Sequence, residues 1–386
     1  MPETVVIIGA GAAGVSALES FRRIDRATPV TIISAELMPR YSLCALPYLL
    51  SKALPYKRFP RLSETFYKEM RARTIFGNRV CKINPSHHSI ALESGKTIFY
   101  HKLLIATGSV PLIPPVDGID KQGVFVMDNL RNTRRIINYI NKHRVKQAAV
   151  IGAGFTGIET ALSLNKIGIG VIIIELLDRV LARILDHELA NIAFQLIENA
   201  HISIKLNARL IKITSPRTSR SRAKERVNGI LYSITEQATA TPPRQTEADV
   251  QMTIISVGVA PNTSFLKDSG IVVNRGIVVN EHMQTDINDI YAAGDVAEVW
   301  NGVSGQRQIS AIWHSAVEQG LIAGENLADK SPPSSYQGAC PINILNINST
   351  PIVSIGTIPA SHPNTQTLTY RTDRATRRLF INDNNR

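Results

Sequence analysis

Val5-Val6-Ile7-Ile8-Gly9-Ala10-Gly11-Ala12-Ala13-Gly14 sets four apolar residues directly before a Gly-x-Gly-x-x-Gly turn. Ala148-Ala149-Val150-Ile151-Gly152-Ala153-Gly154-Phe155-Thr156-Gly157 repeats the arrangement. Each turn opens a stretch with helical spacing, and after the first turn Val15, Leu18 and Phe21 share a face. In such a turn the first glycine permits a tight bend. The second lets the backbone approach a pyrophosphate, and the third lets the helix pack on the strand. The helix N-terminus adds free N–H groups and the positive end of its dipole. One such fingerprint is weak. Two with the right flanks imply two dinucleotide sites in one chain, and so electron transfer between two cofactors.

Outward from these turns the chain reads as α/β. The first 35 residues form a βαβ unit whose second strand is Val30-Thr31-Ile32-Ile33. Residues 148–175 repeat it, with Gly170-Val171-Ile172-Ile173-Ile174 as second strand. Unbroken apolar strands alternating with helices mean parallel sheets covered on both faces. Buried strands ending in small-residue turns recur at Leu103-Leu104-Ile105-Ala106-Thr107-Gly108, Thr253-Ile254-Ile255-Ser256-Val257-Gly258 and Ile290-Tyr291-Ala292-Ala293-Gly294-Asp295. Residues 111–115 read as a linker, residues 235–247 as a linker or hairpin loop, and residues 309–327 as a helix. A short β-rich tail follows Pro332-Pro333, with residues 336–338 and 351–356 as its first strands and Arg378-Leu379-Phe380-Ile381 as a strand without a successor.

The length of 386 residues suits two or three domains, and 44% apolar residues suit real cores. No apolar run reaches the roughly 18 residues of a membrane span, and the N-terminus lacks a signal peptide's basic start. A cytoplasmic protein with no membrane association is expected. Cys44, Cys81 and Cys340 are too few and too scattered for a disulfide framework and contain no CxxC pair. A reducing compartment is expected, and no metal. Cys81 is expected in the core. The net charge is +12, and residues 216–226 hold five basic residues against one acidic. That run reads as a nucleic-acid patch or a solvated hairpin loop. The lack of interleaved aromatic residues favours the loop, so no nucleic-acid partner is expected.

Glu175 follows the second turn by 18 residues and Glu36 follows the first by 22, near the spacing at which a carboxylate meets ribose hydroxyls. A carboxylate accepts from a 2′-OH and repels a 2′-phosphate, so NADH is expected over NADPH; nearby Arg179 keeps NADPH open. Glu36 competes with Ser34, and a solvated loop residue is its alternative reading. Asp295 reads as a helix cap or as a ligand for a ribityl hydroxyl, with Gly294 and Gly258 at similar strand ends.

Gly9 to Gly14, Ala106-Thr107-Gly108, Gly152 to Glu159 and Tyr291-Ala292-Ala293-Gly294-Asp295-Val296-Ala297 together resemble the pyridine nucleotide–disulfide oxidoreductase family. The resemblance implies two Rossmann-like domains, with FAD at the first turn and a nicotinamide cofactor at the second. It places Glu159 near the nicotinamide ribose and the Val80 backbone, in a strand over residues 78–83, against the adenine. It divides the chain into an FAD-binding domain (1–115 and 250–330), an NAD-binding domain (116–249) and a C-terminal α+β interface domain (331–386). That last domain is shorter than the family's, and the homodimer it implies is correspondingly in doubt.

Cys44, in Tyr41-Ser42-Leu43-Cys44-Ala45-Leu46-Pro47-Tyr48, resembles the single-cysteine branch of the family: coenzyme A–disulfide reductases, NADH oxidases, polysulfide reductases and peroxidases. The branch implies a catalytic Cys44, and it makes Arg22-Arg23 candidates for coenzyme A phosphates. Ala12 and Ala13 stand where peroxidase-type members carry a histidine, which disfavours that activity. Pro47 suits a first helical turn, so Cys44 is expected just before a helix N-terminus that favours its thiolate. The alternative is a small buried residue in a tight turn. His314 is read as an ordinary helix histidine and His87-His88 as a surface turn. The expected activity is FAD-dependent oxidation of NADH with a disulfide, polysulfide or coenzyme A disulfide as acceptor. Alternatives are a redox protein of the rubredoxin or nitrite reductase kind, oxygen, or a nucleotide-binding sensor without turnover.

Overall fold

The computed structural model describes residues 3–38, 40–59, 62–63, 65–215, 226–235, 243–301, 305–338, 340–356 and 366–381. Among them lie the helices α1 (Ala12–Ile24), α2 (Leu46–Leu50), α3 (Phe66–Glu69), α4 (Leu130–His143), α5 (Phe155–Lys166), α6 (His187–Asn199) and α7 (Trp313–Leu327). The chain divides into two compact units. One comprises Met1–Ser42, Pro60–Val110 and Ala260–Pro341; the other comprises Leu43–Phe59, Pro111–Val259 and Ile342–Arg386.

The first unit is built on a five-stranded parallel sheet. Its order is Ile290–Ala292, Lys102–Ile105, Val5–Ile8, Val30–Ser34, Ala72–Phe76. Val5–Ile8 runs down the middle, with Ile7 opposite both Ile32 and Leu104, and all four of its residues are buried. A central strand needs apolar side chains toward both faces, hence the unbroken run. Each such side chain contributes roughly 1.5–3 kcal/mol by leaving water. α1 and α7 pack against one another so closely that a Cβ on Gly320 would overlap the Ala13 carbonyl, and one on Gly324 the Ala17 carbonyl. Antiparallel strands Val80–Asn84, Ser89–Leu92 and Thr97–Phe99 add Val80, Ile83, Ile90 and Leu92 to the same core.

The second unit repeats the theme with the order Ser203–Lys205, Gly170–Ile174, Gln147–Ile151, Met252–Ile255, Val124–Val126, all parallel. α4, α5 and α6 share one core with its strands. The antiparallel meander Ala208–Thr214, Gly229–Ile234, Arg244–Asp249 builds the other. α4 starts where the Asn129 side chain accepts from the Asn132 amide at 2.8 Å. α6 starts where Asp186 accepts from the Leu189 amide at 2.9 Å. Each side chain satisfies one of the donors a helix start leaves open.

Two hairpins end the second unit, Ile342–Ile347 with Thr350–Ile355 and Gln366–Thr372 with Ala375–Ile381. Leu345 and Ile347 join the α5–α6 core, and Arg378 reaches Asp186 at 2.9 Å and Glu188 at 3.0 Å.

Several sequence expectations change here. Residues 336–338 form no strand, and the first strand of the tail starts at Ile342. Arg378-Leu379-Phe380-Ile381 does lie in a strand, Ala375–Ile381, which pairs with Gln366–Thr372 before it. The helix expected from 309 starts at Trp313. Residues 235–247 hold the start of the strand Arg244–Asp249. Residues 236–242 and 216–225 lie outside the described residues, although the strands flanking the latter pair as a hairpin. Cys81 is exposed rather than in the core, because a bulge between Val80 and Lys82 breaks the strand's alternation there.

Candidate functional site: two glycine turns and their carboxylates

Both turns leave their strands through a glycine at positive φ, +112° at Gly9 and +106° at Gly152. A Cβ on Gly9 would overlap the Ala106 carbonyl, and one on Gly152 the Ser256 carbonyl. Gly14 and Gly157 bring α1 and α5 as close to the turns themselves, onto the carbonyls of Gly9 and Gly152. The middle glycines are different. Gly11 and Gly154 cap α1 and α5 without any side-chain bond to the helix start, and a Cβ on either would meet nothing within 4 Å. Each turn therefore presents uncapped N–H groups of Ala12, Ala13, Phe155 and Thr156 beside open space, on helices of 13 and 12 residues. That cradle fits a dinucleotide pyrophosphate at both turns.

Glu175 directly follows the strand Gly170–Ile174 beside the second turn. Its Oε2 accepts from the Ala153 amide at 2.6 Å and its Oε1 from the Leu177 amide at 2.8 Å, so the carboxylate is held against the turn. Arg179 turns into its own loop, with Nη1 donating to Asp178 at 2.8 Å and Nη2 to the Ala182 carbonyl at 3.3 Å. Glu159, one turn into α5, is half-buried. Burial pushes its carboxyl up to about 7. Gly258 stands at φ +115°, with Leu112 3.7 Å from where its Cβ would lie.

In the first unit Glu36 is exposed and accepts from the Tyr41 hydroxyl at 2.7 Å, while Ser34 Oγ accepts from the Glu36 amide at 3.1 Å. Gly294 packs on α1, 3.0 Å from the Ala13 Cβ by its own missing Cβ, and donates to Gln319 at 2.8 Å. Asp295 thereby sits near the start of α1. It accepts from Ser109 Oγ at 2.8 Å, and burial raises its pKa. Thr107 donates to the Asn262 carbonyl at 3.0 Å, and the Asn262 amide to the Gly108 carbonyl at 2.9 Å. Val80 is buried in the same core. Tyr41, Ser109, Asn262 and Gln319 escaped the sequence reading, since their partners lie mostly far away in the chain.

The remaining candidates fall elsewhere. Arg22 is buried and its guanidinium serves three carbonyls, those of Met70 at 2.7 Å, Asp25 at 3.0 Å and Arg71 at 3.1 Å. It is a structural residue rather than a phosphate ligand; Arg23 is exposed. Cys44 is exposed rather than buried. It lies in the 3₁₀ turn Leu43–Ala45, immediately before the cap residue of α2, and Pro47 stands in that helix's first turn as expected, although α2 has only five residues. Its segment folds with the second unit, packing α2 on α4 and α5. His314 is exposed. Among the described residues no group of three or more His, Cys, Asp or Glu could hold a metal, and no helix is long and apolar enough to cross a membrane.

Comparison with known proteins adds the following. The NADH oxidase of Methanocaldococcus jannaschii is 32% identical, over 84% of this chain and 69% of that protein. The NAD(P)H coenzyme A polysulfide/persulfide reductase of Pyrococcus horikoshii is 28% identical, over 86% and 71%. The ferredoxin reductase for the CYP199A2 system of Rhodopseudomonas palustris shares the fold at 22% identity, with a TM-score of 0.86 over 99% of this chain and 89% of that one. These findings bear out the resemblance, the paired Rossmann-like α/β fold and the oxidoreductase reading. With residues 3–320 matching its profile, the chain belongs to the pyridine nucleotide-disulphide oxidoreductase family.

Proposed function

We propose that the chain is an FAD-dependent NADH oxidoreductase whose acceptor is a small disulfide, polysulfide or coenzyme A disulfide. Bound at the first turn, FAD supplies hydride acceptance and electron storage. In this reading Gly9, Gly11, Ala12, Ala13 and Gly14 hold its pyrophosphate. Glu36 takes the ribose hydroxyls and Val80 the adenine. Ala106, Thr107, Gly108, Gly294 and Asp295 line the ribityl chain. Gly152, Gly154, Phe155, Thr156 and Gly157 hold the NADH pyrophosphate, Glu175 its adenosine ribose, and Glu159 and Gly258 its nicotinamide half. The observation that carries the reading is the pair of uncapped helix starts facing open space, each followed by a carboxylate near the end of the next strand. Each oxygen of Glu175 accepts one backbone bond and retains a lone pair for a ribose hydroxyl. A 2′-phosphate would meet that negative charge with Arg179 occupied elsewhere, which supports NADH over NADPH. The division into domains at residues 115, 249 and 330, and a cytoplasmic location, belong to the same proposal.

Cys44 enters through its exposure and the family resemblance. Its thiolate attacks one sulfur of the acceptor, a mixed disulfide forms and one thiolate leaves; two electrons then return the cysteine and release the second thiolate. A homodimer is proposed through the terminal hairpins. The cross-strand pairs Ile344–Val353 and Leu368–Leu379, with Ile355 and Tyr370, are half or more exposed. Anaerobic titration of FAD-loaded protein with NADH, followed by coenzyme A disulfide, polysulfide, oxygen and rubredoxin, tests the function. Flavin bleaching by NADH and reoxidation by a disulfide or polysulfide are expected, the latter lost in Cys44→Ser. Absence of bleaching overturns the enzyme reading. Reoxidation by rubredoxin alone transfers it to a protein acceptor.

A further inference from the structure

A stripe of cations and an apolar cavity share one side of the second unit. α4 exposes Arg131, Arg134, Arg135 and Lys142, and no acidic residue occurs between Asp128 and Glu159. At 1.5 Å per residue the stripe runs about 16 Å. Among the described residues none of the four is in an ion pair. Left alone, this arrangement opposes its own helix. Like charges three and four residues apart repel, and three arginines crowd the first turns, where the dipole is already positive. Two of the side chains are nevertheless held in place. The Arg134 guanidinium stacks 4.0 Å over the Tyr56 ring, and Arg135 Nη1 donates to Asn132 at 3.1 Å.

Arg135 and Asn132 also form the polar rim of a cavity of about 150 Å³, whose apolar wall is Ile113, Ile119, Val124, Phe125, Val126 and Ile255. That volume takes a ring the size of benzene. The strand Val124–Val126 is the edge of its sheet, and the described lining shares no residue with the Gly152–Gly157 turn, its nearest approach being Ile255, which pairs with Ile151. We propose that this side of the unit docks a partner protein that presents carboxylates around one aromatic side chain. The carboxylates meet Arg131, Arg134 and Lys142, the ring fills the cavity, and Arg135 touches both. Four cations against an acidic patch raise the encounter rate, while the ring sets register. Along the stripe the Tyr56 ring already carries the Arg134 guanidinium, which leaves a nucleic-acid base less to stack on. The inference goes beyond the electron acceptor and stands whichever acceptor takes the electrons.

The test uses a fluorescein-labelled nonapeptide of glutamates around one central phenylalanine, with full-length FAD-loaded protein and fluorescence anisotropy. Binding is expected to weaken about tenfold between roughly 0.05 and 0.3 M salt. The double variants Arg131→Glu/Arg134→Glu and Arg131→Gln/Arg134→Gln are each expected to lose at least about tenfold, the first more. A central alanine in the peptide is expected to lose roughly tenfold by leaving the cavity unfilled. NADH–ferricyanide turnover, unchanged in both variants, shows that they fold and keeps the result separate from the proposed activity. The proposal is overturned by no binding, by equal binding to the neutral variant, by equal binding of the alanine peptide, or by tighter binding of a DNA duplex of the same charge.

Discussion

The two glycines that open the second turn differ in what a methyl group would meet, so alanine at each should separate folding from binding. At Gly152 the added Cβ would lie 2.9 Å from the Ser256 carbonyl carbon and closer still to its oxygen, at φ +106°. A left-handed backbone costs an L-residue about 1–2 kcal/mol. The overlap with a carbonyl one residue beyond the adjacent strand adds more, because that carbonyl cannot retreat without pulling on the Met252–Ile255 pairing. Together these approach ~3–5 kcal/mol, a large part of a domain's roughly 5–15 kcal/mol. At Gly154, φ is −81° and ψ −175°, an extended conformation open to alanine, and the methyl meets nothing within 4 Å. Gly154→Ala should leave stability unchanged or raise it by about 0.4–1 kcal/mol through the unfolded chain. Its methyl would stand in the space left for the pyrophosphate. Losing one charge-assisted bond there, worth about 1.5–3 kcal/mol, raises the Kd for NADH roughly 10- to 150-fold. Thermal unfolding followed by circular dichroism and NADH titration followed by flavin fluorescence read the two effects separately. Wild-type NADH affinity in Gly154→Ala would refute the placement of the pyrophosphate. Equal destabilisation by the two substitutions would refute the distinction between the two glycines.

Glu159 gives a pH test. Its folded pKa, raised to about 7, means that the protonated form's stability is fully present below the unfolded value and is lost as pH rises through 7. Glu159→Gln should therefore match wild type near pH 4 and exceed it by about 1–3 kcal/mol near pH 8, the range allowing for partial exposure; urea unfolding at both values checks this, and equal stability at pH 8 would refute it. Arg22→Met strands three carbonyls and should cost about 2–4 kcal/mol in urea unfolding while leaving the KM for coenzyme A disulfide unchanged; a raised KM without loss of stability would restore a substrate role. Ile355→Lys with Tyr370→Lys should turn a dimer into a monomer by sedimentation, since both lie on exposed hairpin faces, and a dimer unchanged by both would move the interface elsewhere.

The glycine turns could be read from sequence because their own geometry is local, although the carbonyls of Ala106 and Ser256 that crowd Gly9 and Gly152 come from distant segments. The strand, the bend, the helix and the gap between are set by consecutive residues, and Gly170–Ile174 ends where its apolar run ends. The carboxylates were half legible. Glu175 could be placed by counting, yet its two bonds to Ala153 and Leu177 depend on how the strand end meets the turn. Asp295 could be placed on a strand end, but its partner Ser109 is 186 residues away, and only the pairing of Ile290–Ala292 with Lys102–Ile105 brings them together. Arg22-Arg23 shows the limit most sharply. As letters the two are a basic pair, whereas successive residues on a helix point about 100° apart. α1 therefore turns one into the body of the unit, where the Met70 and Arg71 carbonyls consume its donors, and leaves the other in water. The cation stripe of α4 escaped for the opposite reason. Its arginines are three and four apart, which looks like scatter in a sequence and becomes one surface only when the helix is wound and Phe125 and Val126 are laid beside it. Charge read as composition alone could thus give the sign of a partner but not its place. The place required the edge strand, the helix and the cavity between them.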